Sequence, residues 1–357
     1  MKQFFFAFFI VLLFYKNLSA QNDTLFSVQY YTPVPKITIF ALEVISDTKV
    51  WFAAQRGIWG YTEDAGKTWH IDSIKVDGVY PHFRSIAALN DSTILLLSIQ
   101  SPAFLLKTTN KGKTWKSVYK NEDKDIFFDS MKFYDAKNGI AVADPIKECF
   151  PIITTDDGGE TWKQLTCTSI PKALEGEGLF ASSNSNIDVQ GKNIWFVTGG
   201  KNTRIFYSKD HGKQFEIFTS PFPQGEKMTG IYSVDFANEK TGAMAGGNFD
   251  KTDESIVGLA VTDNGGKSWK TIKSEKTFFG SCVQFRNADE IYVTGMNGTF
   301  RYNFKKKKIV EIKNSSSAIL NFLTLRFSPS KNTLWLAGTN GMVAKLVYFH
   351  KAPKTKK

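Results

Sequence analysis

Six polar side chains that lie outside any repeated phrase are the residues best suited to chemistry or ligand binding. A pair of carboxylates can act as general acid and as nucleophile or base on a glycosidic bond, and arginine can hold an anionic group. Asp129, Asp144 and Glu177 are the candidate catalytic acids. The predicted ligand-binding residues are Arg84, Asp129, Asp144, Glu177, Arg204 and Asn248. The competing interpretation is that they are turn residues and surface ion pairs.

A short phrase recurs five times along the chain, about once every fifty residues, and its first copy reads TEDAGKTW. We name these segments the repeat turns. They cover residues 62–69, 108–115, 155–162, 208–215 and 262–269. A period of this length is typical of repeat architectures, in which each unit is one small group of strands or helices.

Each repeat turn contains the residue types that a tight connection between two strands requires. The leading Ser or Thr and the Asp or Asn two positions later can accept hydrogen bonds from turn amides. Glycine supplies a positive φ, and the closing ring buries apolar surface beside the sheet. The predicted structural residues are Asp64, Asn110, Asp157, Asp210, Asn264, Trp69, Trp115, Trp162, Phe215 and Trp269.

Short apolar segments between the repeat turns give four strands per repeat, which is the pattern of a β-propeller blade. A sixth unit keeps its strands but lacks the phrase, and a seventh ends without an outer strand. Residues 25–31 can supply that strand and so pair an open edge. We therefore predict an all-β fold, a seven-bladed β-propeller of four-stranded antiparallel blades closed by an N-terminal strand, with six blades as the alternative.

The predicted topology separates two faces of the disc. The repeat turns join third and fourth strands, so they share one face, which we name the turn face. The segments that precede each first strand and follow each second strand share the other, the loop face. The six candidate residues fall in or next to these segments, and loops on a rigid scaffold are common sites of binding.

The repeat turns resemble the Asp-box, or BNR, repeat of sialidases, sortilin-type receptors and photosystem II stability/assembly factor-like proteins. Phrases between them, such as residues 127–129, 176–182 and 246–248, resemble an exported bacterial branch of the last group. The sialidase resemblance implies three arginines, a Tyr–Glu nucleophile pair and an acid/base Asp. Arg84 and Arg204 match two of these arginines, and no third arginine matches.

Two functions follow from this combination of scaffold and polar residues. The favoured one is a binding or assembly module that recognises a cell-envelope protein or glycan through the loop face. The alternative is a sialidase-like glycoside hydrolase with its carboxylates and arginines on that face. No cofactor and no metal site are predicted, because the sequence contains no nucleotide-binding strand–helix unit and no metal-ligand spacing.

Residues 1–20 have the charged start, apolar run and small final residue of a cleaved signal peptide, which predicts an exported protein, periplasmic or secreted. The predicted domains are this signal, a single propeller over residues 21–350 and a basic tail over 351–357. The formal net charge is +11, and most of it lies in the signal, residues 305–308 and the tail. We therefore expect no nucleic-acid face, no integral membrane segment after cleavage, and a monomer.

Two of the three cysteines are candidates for a disulfide. If Thr154 pairs with Trp162 across the third repeat turn, Cys149 and Cys167 face each other on neighbouring strands. An oxidising compartment would favour a disulfide between them. Two free buried thiols are the alternative.

Overall fold

The computed structural model describes residues 25–254, 257–313 and 320–349. Within them, seven four-stranded antiparallel blades form a propeller, as predicted, and two short strands, Glu177–Gly178 and Gly199–Gly200, extend the sheet of blade 5. The predicted signal peptide and basic tail lie outside the described residues. In the part of the chain that is described, no helix is both long and apolar enough to cross a membrane.

The blades follow one another along the chain, each from its innermost to its outermost strand. Blade 1 contains Ile39–Val44, Val50–Ala54, Ile58–Thr62 and His70–Ser73, and blade 2 contains Phe83–Ala88, Ile94–Ser98, Ala103–Thr108 and Lys116–Asn121. Blade 3 contains Phe128–Phe133, Gly139–Ala143, Ile152–Thr155 and Lys163–Gln164, and blade 4 contains Ile187–Gln190, Asn193–Val197, Arg204–Ser208 and Glu216–Thr219. Blade 5 contains Thr229–Phe236, Gly242–Asn248, Leu259–Thr262 and Lys270–Thr271, and blade 6 contains Cys282–Asn287, Glu290–Gly295, Gly298–Asn303 and Lys308–Glu311.

Blade 7 joins the two ends of the described chain. Its inner strands are Thr324–Phe327, Thr333–Ala337 and Val343–Phe349, and its outer strand is Leu25–Tyr31. The outer strand pairs antiparallel over its whole length, from Leu25 opposite Phe349 to Tyr31 opposite Val343. The predicted closure by an N-terminal strand is therefore confirmed, and it covers an edge that would otherwise be open to other chains.

The apolar core consists of seven clusters, one between each pair of neighbouring blades. The closing ring of each repeat turn enters the cluster that its own blade shares with the preceding blade. Trp162 of blade 3, for example, packs with Leu95 of blade 2. The glycine of the repeat turn also packs closely against the preceding blade. At Gly112, where φ is +79°, an added Cβ would lie 2.0 Å from the Trp59 ring. The repeat turns thus hold neighbouring blades together.

Inside each repeat turn, the Asp or Asn side chain accepts a hydrogen bond from the backbone N–H four residues later. In the first copy, Asp64 Oδ1 accepts the Thr68 N–H at 2.9 Å and Asp64 Oδ2 accepts the Thr68 hydroxyl at 2.6 Å. Asn110 reproduces this geometry with its amide, accepting the Thr114 N–H and donating to the Thr114 hydroxyl. Aspartate and asparagine are therefore interchangeable here in geometry but not in charge.

A polar segment, residues 182–186, lies buried at the centre of the ring, and we name it the axial segment. It precedes the first strand of blade 4 and contacts inner strands of other blades. Asn184 accepts the Met131 N–H of blade 3 at 3.1 Å and donates to the Ile86 carbonyl of blade 2 at 3.0 Å. Ser183 donates to the Ser281 carbonyl at 2.7 Å, beside blade 6. The segment therefore bonds across the channel.

Arg326, on the first strand of blade 7, fastens the axial segment from the other side. Its Nη2 donates to the carbonyls of Ser183 and Asn184 at 3.0 and 2.7 Å, and its Nη1 donates to the Leu325 carbonyl at 2.7 Å. Only 6% of the residue is exposed. A buried guanidinium requires such acceptors, so the charge and the carbonyls stabilise each other.

The repeat turns predict a specific acid sensitivity. Hydrogen bonds, first from the Thr68 hydroxyl, lower the pKa of Asp64 from 3.8 to about 2, and those from Thr161 likewise lower the pKa of Asp157. Stability from a depressed pKa is present above the unfolded value and is lost as pH falls through the folded value. We expect Asp64→Asn with Asp157→Asn to reduce the fall in Tm between about pH 4 and about pH 2.

Thermal unfolding at several pH values measures this effect. Asp156→Asn, a change at the neighbouring exposed carboxylate, is the control and should leave the acid slope as in the parent. An equal slope in the double variant and the parent would contradict the role given to the two aspartates.

The axial segment predicts a stability cost at one asparagine. Asn184→Gly keeps a residue suited to the observed φ of +53° but removes two buried hydrogen bonds. We expect the free energy of unfolding to fall by about 2 kcal/mol, since each such bond contributes ~1 kcal/mol. Denaturant unfolding measures it. Asn340→Gly, at φ +56° on the exposed surface, is the matched control, and an equal loss in both variants would refute the axial role.

Candidate functional site

A cavity of about 1010 Å3 opens on the loop face at the centre of the ring. All seven blades or the loops leading to them contribute to its lining, from Phe40 of blade 1 to Thr339 of blade 7. Ser182, the first residue of the axial segment, and the preceding Ala181 also line it, so the axial segment begins at its floor. The cavity is therefore a blind pocket at the mouth of a filled channel.

Aromatic and methionine side chains form one wall of the cavity. Phe180 stacks on Tyr232 with ring centroids 3.9 Å apart, and the Tyr232 hydroxyl donates to the Met228 carbonyl at 2.9 Å. Phe249 and Met296 lie at the rim, 37% and 38% exposed. Large apolar side chains that remain accessible beside a cavity mark a surface suited to an apolar ligand group.

β-Bulges place the side chains that face the centre of the cavity. The first strands of blades 1, 2, 3 and 5 each skip one residue of their pairing at the loop-face end. The skipped residues are Phe40, Arg84, Asp129 and Tyr232. Bulges redirect side chains near functional sites. Three of the four line the cavity, and Asp129 lies behind the lining, fully buried.

Arg84, Asp129 and Asp144 form a polar corner opposite the aromatic wall, and we keep that name for these three residues. Arg84 lies over the Phe40 ring, 4.1 Å from its centroid, and its Nη1 donates to the Ala181 carbonyl at 3.0 Å. Asp144 Oδ1 accepts the Leu179 N–H at 2.7 Å. Both Asp129 oxygens and the Arg84 Nε are buried without a hydrogen-bond partner in the described structure.

Burial controls the protonation of the polar corner. Burial first, and the neighbouring Asp144 charge second, raise the pKa of Asp129 well above its usual value, against the opposing effects of Arg84 and of the nearby Asp144 N–H, a group that donates to the Phe127 carbonyl at 2.8 Å. Burial also raises the pKa of Asp144 to about 6, although the Leu179 N–H lowers it. Near pH 7 Asp144 is therefore largely ionised, and burial favours the protonated form of Asp129 beside the Arg84 cation.

Glu177 and Arg204, both predicted as ligand-binding residues, bind each other. Glu177 Oε1 accepts the Arg204 Nε–H at 2.9 Å and the Thr198 hydroxyl at 2.7 Å, and Oε2 accepts Arg204 Nη2–H and the Leu174 N–H. The Glu177 side chain has no exposed surface. Glu177 lines the cavity and Arg204 does not, so this ion pair holds the wall in place and leaves neither head group open to a ligand.

Asn248 lies outside the cavity lining. Its Oδ1 accepts the amides of Asp250 and Lys251 at 2.9 and 3.0 Å, and its Nδ2 donates to Glu226 at 2.6 Å. The side chain thus shapes the turn that carries its neighbour Phe249 to the rim. Of the six predicted ligand-binding residues, the structure groups Arg84, Asp129 and Asp144 and assigns Glu177, Arg204 and Asn248 to supporting contacts.

Cys149 and Cys167 form a disulfide, with Cα atoms 5.5 Å apart. The strand register used to pair them in the sequence is wrong by one residue, since Thr154 faces Lys163 rather than Trp162. The cysteines lie beyond the paired strands: Cys149 forms an isolated β-bridge with Ile146, and Cys167 begins a 3-10 turn. The disulfide fastens the chain that leads to the cavity wall.

Sequence reasoning missed the aromatic wall and the axial segment. The bulge positions do carry a signal: Phe40, Arg84, Asp129 and Tyr232 each stand between an apolar residue and a small one, in IFA, FRS, FDS and IYS. The axial segment reads SSNSN and carries no periodicity, so its burial has no local cue. No set of three or more His, Cys, Asp or Glu side chains suited to a metal ion occurs within the described residues.

Comparison with known proteins gives structural neighbours only. No protein-family model and no curated protein sequence matches the chain. Among solved structures, YCF48 bound to a D1 peptide is similar over 93% of this chain and 99% of its own, at 13% identity and a TM-score of 0.67. YCF48 from Cyanidioschyzon merolae is similar over 89% of this chain and 98% of its own, at 13% identity and a TM-score of 0.65.

A WD40 β-propeller domain, that of Doa1, is also similar. The likeness covers 91% of this chain and 97% of that domain, at 8% identity and a TM-score of 0.60. At these identities the comparisons establish the fold, and the chain is a seven-bladed β-propeller.

Proposed function

We propose that this chain is an exported binding module that takes a segment of a cell-envelope partner protein into the loop-face cavity. The observation that carries the proposal is the cavity itself, about 1010 Å3 in volume, with an accessible aromatic wall and a few convergent polar groups. Sites of this size and character are the usual places where proteins bind ligands.

The apolar wall favours a protein segment over a glycan. A sugar presents many hydroxyls, and each buried hydroxyl needs a hydrogen-bond partner. Phe180, Phe249 and Met296 offer accessible ring and methyl groups instead, with Tyr232 buried behind Phe180, and these suit aliphatic or aromatic side chains. A propeller of similar fold has a peptide ligand, as in YCF48 bound to a D1 peptide, and this supports a polypeptide as the class of ligand here.

Glycoside hydrolysis is the competing function, and one observation favours it. Asp144 lines the cavity with a pKa raised to about 6 by burial, as a general acid requires. However, the second carboxylate, Asp129, has no exposed surface, and Glu177 is held by Arg204. Turnover of a fluorogenic sialoside or glycoside panel that is lost in Asp144→Asn would overturn the binding-module proposal.

The rim predicts which substitutions weaken peptide binding. Peptides are selected on the protein from a displayed random library, and their affinities are measured by fluorescence anisotropy. We expect the double variant Phe249→Ala with Met296→Ala to weaken binding by about tenfold or more, because two partly exposed apolar side chains would no longer be buried by the ligand.

The control is Tyr80→Ala with Met342→Ala, which changes an exposed aromatic and an exposed methionine of the loop face outside the lining. Its affinities should equal those of the parent. Failure to select any peptide, or an equal loss in both double variants, would rule out the cavity as a peptide site.

A further inference from the structure

The polar corner has an imbalance between hydrogen-bond acceptors and donors. Both oxygens of Asp129 are unpartnered in the described structure, although the residue has no exposed surface. Buried carboxyl oxygens rarely lack partners, and each exception needs an explanation. Asp129 also occupies the same bulge position as Arg84 and Tyr232, which line the cavity. Asp129 itself lies behind that lining, next to Asp144, which does line the cavity.

The donors near Asp129 are already engaged. Arg84 gives its Nη1–H to the Ala181 carbonyl and rests on the Phe40 ring, which leaves its buried Nε as an unused donor. The Leu179 N–H is taken by Asp144. A ligand that enters here meets the Asp144 carboxylate, with the unpartnered Asp129 carboxyl group behind it, whereas an anionic ligand would face two carboxyl groups.

We propose that the ligand inserts a cationic amine, such as a lysine side chain or an N-terminal ammonium, into the polar corner while its apolar part lies on the aromatic wall. The proposal rests on the proposed function and names the ligand group that the cavity selects. An ammonium has three hydrogen-bond donors and no acceptor, so it can donate to carboxyl oxygens that no other group donates to. The partly exposed ring of Phe180 also favours a cation.

The ionisation of the corner gives the proposal a distinct signature. Burial favours the protonated form of Asp129 in the free protein, so an ammonium that binds at the neighbouring Asp144 favours release of that proton to solvent. Asp144 must be ionised as well, so binding weakens as pH falls through about 6. The other charged groups around the cavity are Arg84, Asp125, Lys227, Lys201 paired with Glu175, and Glu177 paired with Arg204.

The test uses three small probes of one shape: 2-phenylethylammonium, the neutral 2-phenylethanol and the anionic 3-phenylpropanoate. Binding is followed by NMR of 13C-labelled methionine methyl groups, since Met228 and Met296 line the cavity and Met342 does not. We expect the ammonium to shift Met228 and Met296 with a Kd about tenfold below that of the alcohol, with no shift at Met342.

Two variants separate charge recognition from loss of structure. Asp144→Asn should remove the preference for the ammonium over the alcohol while alcohol binding persists. Asp129→Asn resembles the protonated acid in shape and charge, so it should fold as the parent does. Calorimetry in buffers of different ionisation enthalpy should detect proton release with the parent and none with Asp129→Asn.

The outcomes distinguish this inference from the proposed function. Tighter binding of 3-phenylpropanoate, equal binding of all three probes, no shift with any probe, or an unchanged preference in both variants would overturn the cationic-amine proposal. The peptide selection with the Phe249 and Met296 variant would still decide whether the cavity binds peptides. A preference for the ammonium that both variants abolish would support the assignment.

Discussion

A ring of seven blades leaves a channel along its axis, and the backbone groups around it need hydrogen-bond partners. The axial segment meets this constraint. Asn184 bonds blades 2 and 3, and Arg326 holds the carbonyls of Ser183 and Asn184 from blade 7. Because the channel is filled, the space above it becomes a blind pocket that opens on the loop face. The site therefore depends on contacts that no single blade contains.

The two faces of the disc have different tasks. On the turn face, the repeat turns place rings such as Trp162 between blades, and similar geometry in each of the five copies serves five interfaces. On the loop face, four bulges open equivalent positions to different side chains: Phe40, Arg84, Asp129 and Tyr232. Repetition stabilises one face, and variation at matched positions produces the chemical asymmetry of the other.

The number of blades could be predicted because each repeat turn marks a blade by its local sequence pattern. The closure could be predicted because the seventh unit lacks an outer strand and residues 25–31 belong to no other blade. The grouping of Arg84, Asp129 and Asp144 followed from the same topology. The ion pair between Glu177 and Arg204 could not, since residues 27 apart meet only through the short strands Glu177–Gly178 and Gly199–Gly200. The burial of the SSNSN segment also depends on Arg326, which lies far along the chain.

Closure of the ring by Leu25–Tyr31 has a consequence for the order of folding. The first described strand must wait for Val343–Phe349, the last one, before it has a partner. Contacts between such distant residues form slowly because a long loop must close first. Until that pairing forms, the ring has an open edge beside blade 7, whose first strand carries Arg326. The complete cavity thus requires both Leu25–Tyr31 and the strands of blade 7.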